Sequence, residues 1–256
     1  MTSPVPYIDP ARQRSRIKPL KAWGHMQKLI ANKEDTAQVF HIIEALNGTI
    51  KLADFKRFMN SDQGPALLAK RDDLPTMLDN HTPLKSLSEG TVGHAYVQFM
   101  ESEGLSAAGL VAESEKNNAR HQQFDDDLTW YANRGRDTHD LYHVLTGYGR
   151  DALGEAALLG YTHSQHGGLG INFIAFMGGR TIAKEAPRNA NIKAVIAEGR
   201  RNGKAATRIV DQDIDALLRE PIADARARLG IKEPVLYKRA LEIFSEYELE
   251  PSPVAA

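Results

Sequence analysis

Arg136-Asp137-Thr138-His139-Asp140-Leu141-Tyr142-His143, then Thr146-Gly147-Tyr148-Gly149, then Glu155: the rest of the chain is read outward from this stretch. His139 and His143 are four residues apart, so on a helix they stand one turn above each other on one face. Asp140 lies about 100° round from His139 but only about 60° from His143, so its carboxylate can swing in from the side. The glycine-bearing turn suits the end of one helix and a reversal of the chain, with the next helix starting near Arg150-Asp151. His143 precedes Gly149 by six residues and Glu155 follows it by six. In an antiparallel helical hairpin, residues equidistant from the turn stand at the same height. The spacing therefore predicts a hairpin on which His139, Asp140, His143 and Glu155 converge on a divalent ion.

A lone histidine pair at this spacing is more often solvated or hydrogen-bonded than metal-bound. Here Leu141, Val144, Leu145 and Tyr148 make an apolar stripe at i, i+3, i+4, i+7, and the histidines lie opposite it with Arg136 and Thr146. The histidines are therefore expected to face either water or a polar cavity, and the symmetric Glu155 favours the cavity.

At 256 residues the chain is long enough for one large domain or two small ones. Hydrophobic residues make up 42% and charged residues 25%, the balance of a soluble globular protein. A net charge of −1 gives no basic field for nucleic acid, so no nucleic-acid partner is expected. The absence of cysteine excludes disulfides, a thiolate nucleophile and Cys-based metal sites, and fits an intracellular protein. No apolar run approaches the roughly 18–20 residues that cross a bilayer, and the N-terminus lacks the apolar core of a signal peptide.

Residues 1–33 read as a basic arm, with Arg12, Arg14, Arg16, Lys18, Lys21, Lys28 and Lys33 against Asp9 alone. With Trp23 inside it, such an arm could lie on an anionic membrane or remain a solvated tail. Pro4, Pro6, Pro10 and Pro19 argue against an amphipathic helix there, and so against a transit peptide. Residues 34–250 read as one multi-helix domain, followed by a tail over 251–256. Helices are expected over Thr36 to Leu46 and Thr49 to Met59, then short helices and turns over 61–90. The next helix opens at Gly90-Thr91 with Thr91 as N-cap. Residues 113–123 look like a surface helix end and loop. Asp125-Asp126-Asp127 should cap one long helix carrying the metal motif. Further helices are expected over Ile192 to Ala206 and, as one element, Asp211 to Leu229. No sustained period-two alternation appears, so the fold is predicted to be all-α. Between Gly167 and Gly179, Leu169, Ile171, Phe173, Ile174, Phe176 and Met177 are apolar nearly all round a helix of about ten residues. Such a helix is a central core element or lies against lipid, where it could line a tunnel for a long apolar ligand.

Gly90-Thr91-Val92-Gly93-x-x-Tyr96-x-x-Phe99-Met100 resembles a stretch of the ubiquinone (coenzyme Q) biosynthesis family usually called Coq-four. His139-Asp140-x-x-His143, eleven residues, then Glu155 is similar to that family's metal signature, and Arg136 and Asp137 fall where it has an Arg and an acid. Glu198-Gly199-Arg200-Arg201 and Ala225-Arg226-Ala227-Arg228-Leu229-Gly230-Ile231 resemble its closing helices, so the likeness runs over about 36–235. Asp125 to Trp130 matches loosely, and His163-Ser164-Gln165-His166 has no counterpart.

The resemblance implies a helical, often dimeric, peripheral membrane protein of ubiquinone synthesis that works with other proteins of that pathway. Its place would be the cytoplasmic face of a bacterial inner membrane or the matrix side of the mitochondrial one. It also implies a divalent ion, zinc first. Two histidines with a carboxylate match the iron(II) site of oxygenases as well, and a four-ligand tetrahedral zinc would have no open position. The implied reaction is oxidative decarboxylation at C1 of a polyprenylated 4-hydroxybenzoate-type ring. Arg136, His139 and Asp140 would be the catalytic set, with Arg136 gripping the substrate carboxylate. Tyr96, Phe99, Tyr142, Phe173, Phe176 and Met177 would contact the isoprenoid. Two other classes stay open: a non-enzymatic lipid-binding scaffold with a structural ion, and an HD-type phosphohydrolase. The latter would need His94, His121, Asp211 or Asp213 at spacings these residues do not keep.

Overall fold

The computed structural model describes residues 5–12, 16–32, 35, 37–118 and 124–249. In chain order the helices are α1 (Pro19–Ala31), α2 (Ala37–Asn47), α3 (Ile50–Met59), α4 (Gly64–Lys70), α5 (Leu74–Asp79), α6 (His81–Lys85), α7 (Val92–Glu103) and α8 (Ala107–Asn118). They continue with α9 (Asp127–Asp137), α10 (His139–Thr146), α11 (Ala152–His166), α12 (Leu169–Glu185), α13 (Ile192–Ala205), α14 (Ile214–Arg219), α15 (Ile222–Leu229) and α16 (Val235–Glu246). No strand occurs among the described residues, in line with the all-α expectation; one isolated bridge pairs Thr91 with Pro221. None of the described helices is long and apolar enough to cross a membrane.

The chain groups into two compact units, each assembled from three stretches: 1–15, 49–145 and 208–229 in the first, and 16–48, 146–207 and 230–256 in the second. Two boundaries differ from the sequence reading. Pro19 does not prevent α1 but begins it, because a first-turn proline lacks only an N–H that would be unpaired anyway. The expected helix from Asp211 to Leu229 is two helices, since Pro221 cannot sit inside one; the chain there pairs with Gly90 to Val92 instead. Over 113–123, where a surface helix end and loop are expected, α8 runs to Asn118, and 119–123 lie outside the described residues.

In the first unit, Phe55 and Phe58 of α3, Leu67 and Leu68 of α4, Leu128 and Tyr131 of α9, and Val210 form one core cluster. The Tyr131 ring lies 5.0 Å from Phe58, while its hydroxyl donates to Asp54 at 2.6 Å. Arg208 donates to the same Asp54 at 2.8 Å, and buried Arg134 donates to the carbonyls of Val210 and Gln212. Burial, then Asp54, pushes the Tyr131 hydroxyl up, against the pull of Arg208, so the phenol stays a donor. These two guanidinium groups fasten the returning segment 208–229 to α3 and α9.

Residues 5–12 are not a free arm. The Tyr7 N–H donates to Asp127 at 2.7 Å and the Asp9 N–H to Asp126 at 3.0 Å, while Arg12 donates to Asp126 at 2.6 Å. Asp126 also caps α9, accepting from the Thr129 N–H at 2.9 Å, which is the role its sequence position predicts. Arg14 and Lys33 lie outside the described residues.

The second unit depends on close backbone approach. A Cβ at Gly199 of α13 would stand 2.2 Å from the Ala157 carbonyl oxygen of α11, and one at Gly203 would stand 2.3 Å from that of Tyr161. Only glycine lets these two helices touch along their length. Ala22 and Met26 of α1, Ile42, Ala45 and Leu46 of α2 and Ile174 of α12 form a second cluster. α12 is longer than expected and is not a central core helix. Its Gly170, Ile174, Ala175 and Gly179 are buried, but Leu169 and Phe176 are more than half exposed, because the helices around it cover only one side.

Asp126→Ala should destabilise the protein by about 2–3 kcal/mol, removing a helix cap and the carboxylate that Arg12 and Asp9 bind. Burial alone would raise this carboxyl, but the hydrogen bonds from Arg12, Asp9 and Thr129 outweigh it and hold it well below the usual carboxylate range. The folded-state pKa being depressed, its stabilisation is present above the unfolded value of about 3.9 and is lost as pH falls through the folded one. Urea melts of the two proteins should differ by a constant amount from pH 5 to 8 and converge in strong acid.

Candidate metal centre

The metal motif is carried on a helix shorter than the sequence suggests. α9 ends at Asp137, and Thr138 takes φ −90°, ψ 2°, its hydroxyl donating to the Arg134 carbonyl at 2.9 Å. This back-bonding competes with the regular helical pattern and divides the expected long helix in two. Arg136, read as one turn before His139 on a shared helix, is therefore in the last turn of the preceding one.

α10 is buried over most of its length. Its apolar stripe is buried as expected, but so are Asp140, His143 and Thr146 opposite, and His139 is half-buried. Of the two settings the sequence allowed, open water is removed. The last carbonyls of the helix are held from α15: Arg226 donates to Leu145 at 2.8 Å and to Val144 at 3.0 Å, a cation where the helix dipole favours one. Sequence gave no signal for this contact, since the two segments are about eighty residues apart.

The Nε2 atoms of His139 and His143 lie 3.3 Å apart, with the rings nearly perpendicular at 86°. One carboxylate oxygen of Asp140 falls within 4.8 Å of a ring nitrogen of each, and no other group of three or more such residues is so placed among the described residues. Two nitrogens bound to a tetrahedral ion at about 2.0–2.1 Å would stand about 3.3 Å from each other, so the pair fits such an ion. An N–H···N hydrogen bond spans the same distance. A protonated imidazole in the hydrogen-bonded pair, or an ion between the two rings, would each set positive charge beside the buried Asp140 carboxylate.

α7 packs over this cluster. Thr91 caps it through the His94 N–H at 3.3 Å, and the bridge bonds Val92 N–H to Glu220 O at 2.9 Å and Ile222 N–H to Gly90 O at 2.8 Å fix its start. Phe99 lays its ring against His143, 5.5 Å between centroids at 20°. Tyr96, one turn earlier, is 1% exposed. Burial pushes its hydroxyl up, and the charge of Asp140, then that of Asp79, adds to the effect. Arg136 donates from Nε to Asp137 at 2.7 Å. Burial pushes the Asp137 carboxyl up, against the pull of Arg136.

The other residues singled out in the sequence fall as follows. Tyr142 is buried on α10. Glu155 sits in the first turn of α11, in the second unit, after an N-cap at Asp151 that accepts from Leu153 and Gly154 at 3.0 Å. The helices on either side of the Thr146 to Gly149 turn thus start and stop where expected, but in different units. Phe173, Phe176 and Met177 are on α12, also in the second unit. His94, Asp211 and Asp213 do not join the cluster, and His121 lies outside the described residues.

A profile of the family described as coenzyme Q (ubiquinone) biosynthesis protein Coq4 matches residues 21–235. The mitochondrial ubiquinone biosynthesis protein COQ4 of Podospora anserina is 26% identical over 178 residues, 69% of this chain and 56% of that protein. The mitochondrial COQ4 homologue of Aedes aegypti is 34% identical over 101 residues, 39% of this chain and 34% of that protein. The matched part thus spans about half the length or less of these curated relatives. A crystal structure of a candidate ubiquinone biosynthesis protein from Nostoc punctiforme superposes with a TM-score of 0.64 at 23% identity, covering 85% of this chain and all of that one. At that identity the superposition bears on the fold alone. The profile match over most of the chain, which takes in both the α7 motif and the His-Asp-x-x-His helix, places this protein in the coenzyme Q (ubiquinone) biosynthesis protein Coq4 family.

Proposed function

We propose that the protein is a metal-dependent enzyme of ubiquinone synthesis that removes the C1 carboxylate of a polyprenylated 4-hydroxybenzoate-type ring. The observation that carries this reading is the buried cluster of His139, Asp140 and His143, with two ring nitrogens 3.3 Å apart. Glu155 would complete the ligand set from α11, closing the hairpin the spacing predicts. A bound zinc, or iron(II) in its place, would supply Lewis-acid polarisation of a substrate oxygen. Arg136, with its Nε–H on Asp137, keeps two terminal nitrogens for a planar two-point grip on the carboxylate. In the reaction the C1–carboxylate bond breaks, its electron pair passes to the ring and carbon dioxide leaves. A proton then takes its place, or, in the oxidative version, a hydroxyl drawn with a two-electron oxidant from outside the chain. Burial of Asp140 and His143 would limit water around this chemistry.

The substrate's isoprenoid calls for contact with lipid, and the second unit offers a surface suited to it. Leu20 and Trp23 of α1 and Leu169 and Phe176 of α12 are exposed, and the Trp23 ring lies 6.4 Å from that of Phe173. Lys18, Lys21, Lys28, Arg180 and Lys184 lie on or beside the same two helices, the pairing of apolar and basic groups that holds a peripheral protein on an anionic membrane. The same exposed surface also favours the scaffold reading, in which the ion merely fastens α10 and the protein, as a homodimer or with pathway partners, presents lipid to other enzymes.

Purified protein should contain about one divalent ion per chain, and His143→Ala should lose it, since removal of one ligand commonly leaves a site too weak to fill. Elemental analysis decides this; unchanged metal content would remove the site. Arg136→Ala should keep ion and fold yet lose C1 decarboxylation in cells that depend on this protein, and Arg136→Lys should recover little, an ammonium lacking the planar grip. Full ubiquinone synthesis in Arg136→Ala would shift the reading to the scaffold. Replacing Trp23 and Phe176 together by serine should weaken binding to anionic vesicles by about tenfold or more, given the transfer energy of two large side chains. Unchanged sedimentation with vesicles would clear this face of membrane contact.

A further inference from the structure

We propose that Tyr96 is a positioning residue whose hydroxyl donates a hydrogen bond to an oxygen of the aromatic acid held at the His139–Asp140–His143 cluster. This rests on the metal-centre reading above. Tyr96 is 1% exposed and its hydroxyl has no hydrogen-bond partner among the described residues. A buried donor left so is destabilising, and a site that needed only the ring would be served better by phenylalanine. The hydroxyl is also well placed. Phe99, three residues on and on the same face of α7, lies flat against His143 at 5.5 Å. Among the charged groups that bear on the Tyr96 hydroxyl, Asp140 has the largest effect. One face of α7 therefore sets an aromatic wall on His143 and, one turn away, a buried donor without a partner among the described residues. A neutral phenol donates one hydrogen bond, which suits a carboxylate or phenolic oxygen of the bound acid and does not require the tyrosine to give up its proton. Proteins commonly leave such groups unsatisfied where a ligand will complete them, at some cost to the stability of the free form.

Tyr96→Phe deletes this hydroxyl and keeps the ring. The test compares zinc content, melting temperature and calorimetric binding of 4-hydroxybenzoate between the zinc-loaded full chain and this variant, with His143→Ala alongside. Zinc per chain should be unchanged and the melting temperature equal or higher, while 4-hydroxybenzoate binds at least tenfold more weakly and cellular ubiquinone falls in parallel. Equal affinity for the probe in variant and wild type overturns the proposal, as does a zinc-loaded wild type with no affinity for it. A melting temperature lowered by several degrees would make the hydroxyl structural, and loss of zinc would make it a ligand; either also overturns the proposal. Failure of the metal reading is seen separately, as zinc that does not bind the wild type or that survives His143→Ala.

Discussion

Burial of an acid between two imidazoles is the constraint on which the first unit depends. Asp140 and His143 are almost wholly removed from solvent on a helix of eight residues, too short to be stable alone. The helix is held from outside instead. Arg226 of α15 binds its last carbonyls, Phe99 of α7 covers His143, and the Thr138 hydroxyl ends the helix before it. Buried Arg134 and half-buried Arg208 in turn hold the segment leading to α15. Interior positive charge, in guanidinium groups and in the proposed ion, is the common means by which this unit tolerates so many buried polar atoms.

The second unit follows a different rule. Its α11 and α13 meet backbone to backbone through Gly199 and Gly203, so stability there comes from close packing. One side of α12 stays uncovered, leaving Leu169 and Phe176 exposed on the helix whose Phe173 meets Trp23 of α1. The two units thus differ in emphasis: ion pairs and the His–Asp cluster in the first, close backbone packing and exposed Trp23, Leu169 and Phe176 in the second.

Local signals in the sequence were legible. Thr91 and Asp126 each cap the helix their positions predict, and Asp151 caps the helix expected to start beside it, since an N-cap needs only a side chain and the backbone two or three residues on. The His-Asp-x-x-His helix was legible for the same reason, its three groups lying within one turn and a half. What sequence missed depended on distant partners or on weak competition. Arg226 reaches α10 only because the fold returns there. The Thr138 break comes from one hydroxyl competing for a carbonyl, and the start of α1 from a proline whose meaning reverses between a helix interior and its first turn. The face of α12 was ambiguous because apolar residues all round a helix do not say which side will be covered. The part of Glu155 rests on symmetry about the turn alone.

The central claim is that imidazoles of α10 hold a divalent ion. X-ray absorption at the zinc edge of reconstituted protein tests it most directly, since imidazole carbons give a scattering signature that carboxylates and water lack. The account predicts two imidazoles with oxygen ligands, all at about 2.0–2.1 Å. A zinc shell without imidazole, or protein that takes up no zinc at all, would contradict it.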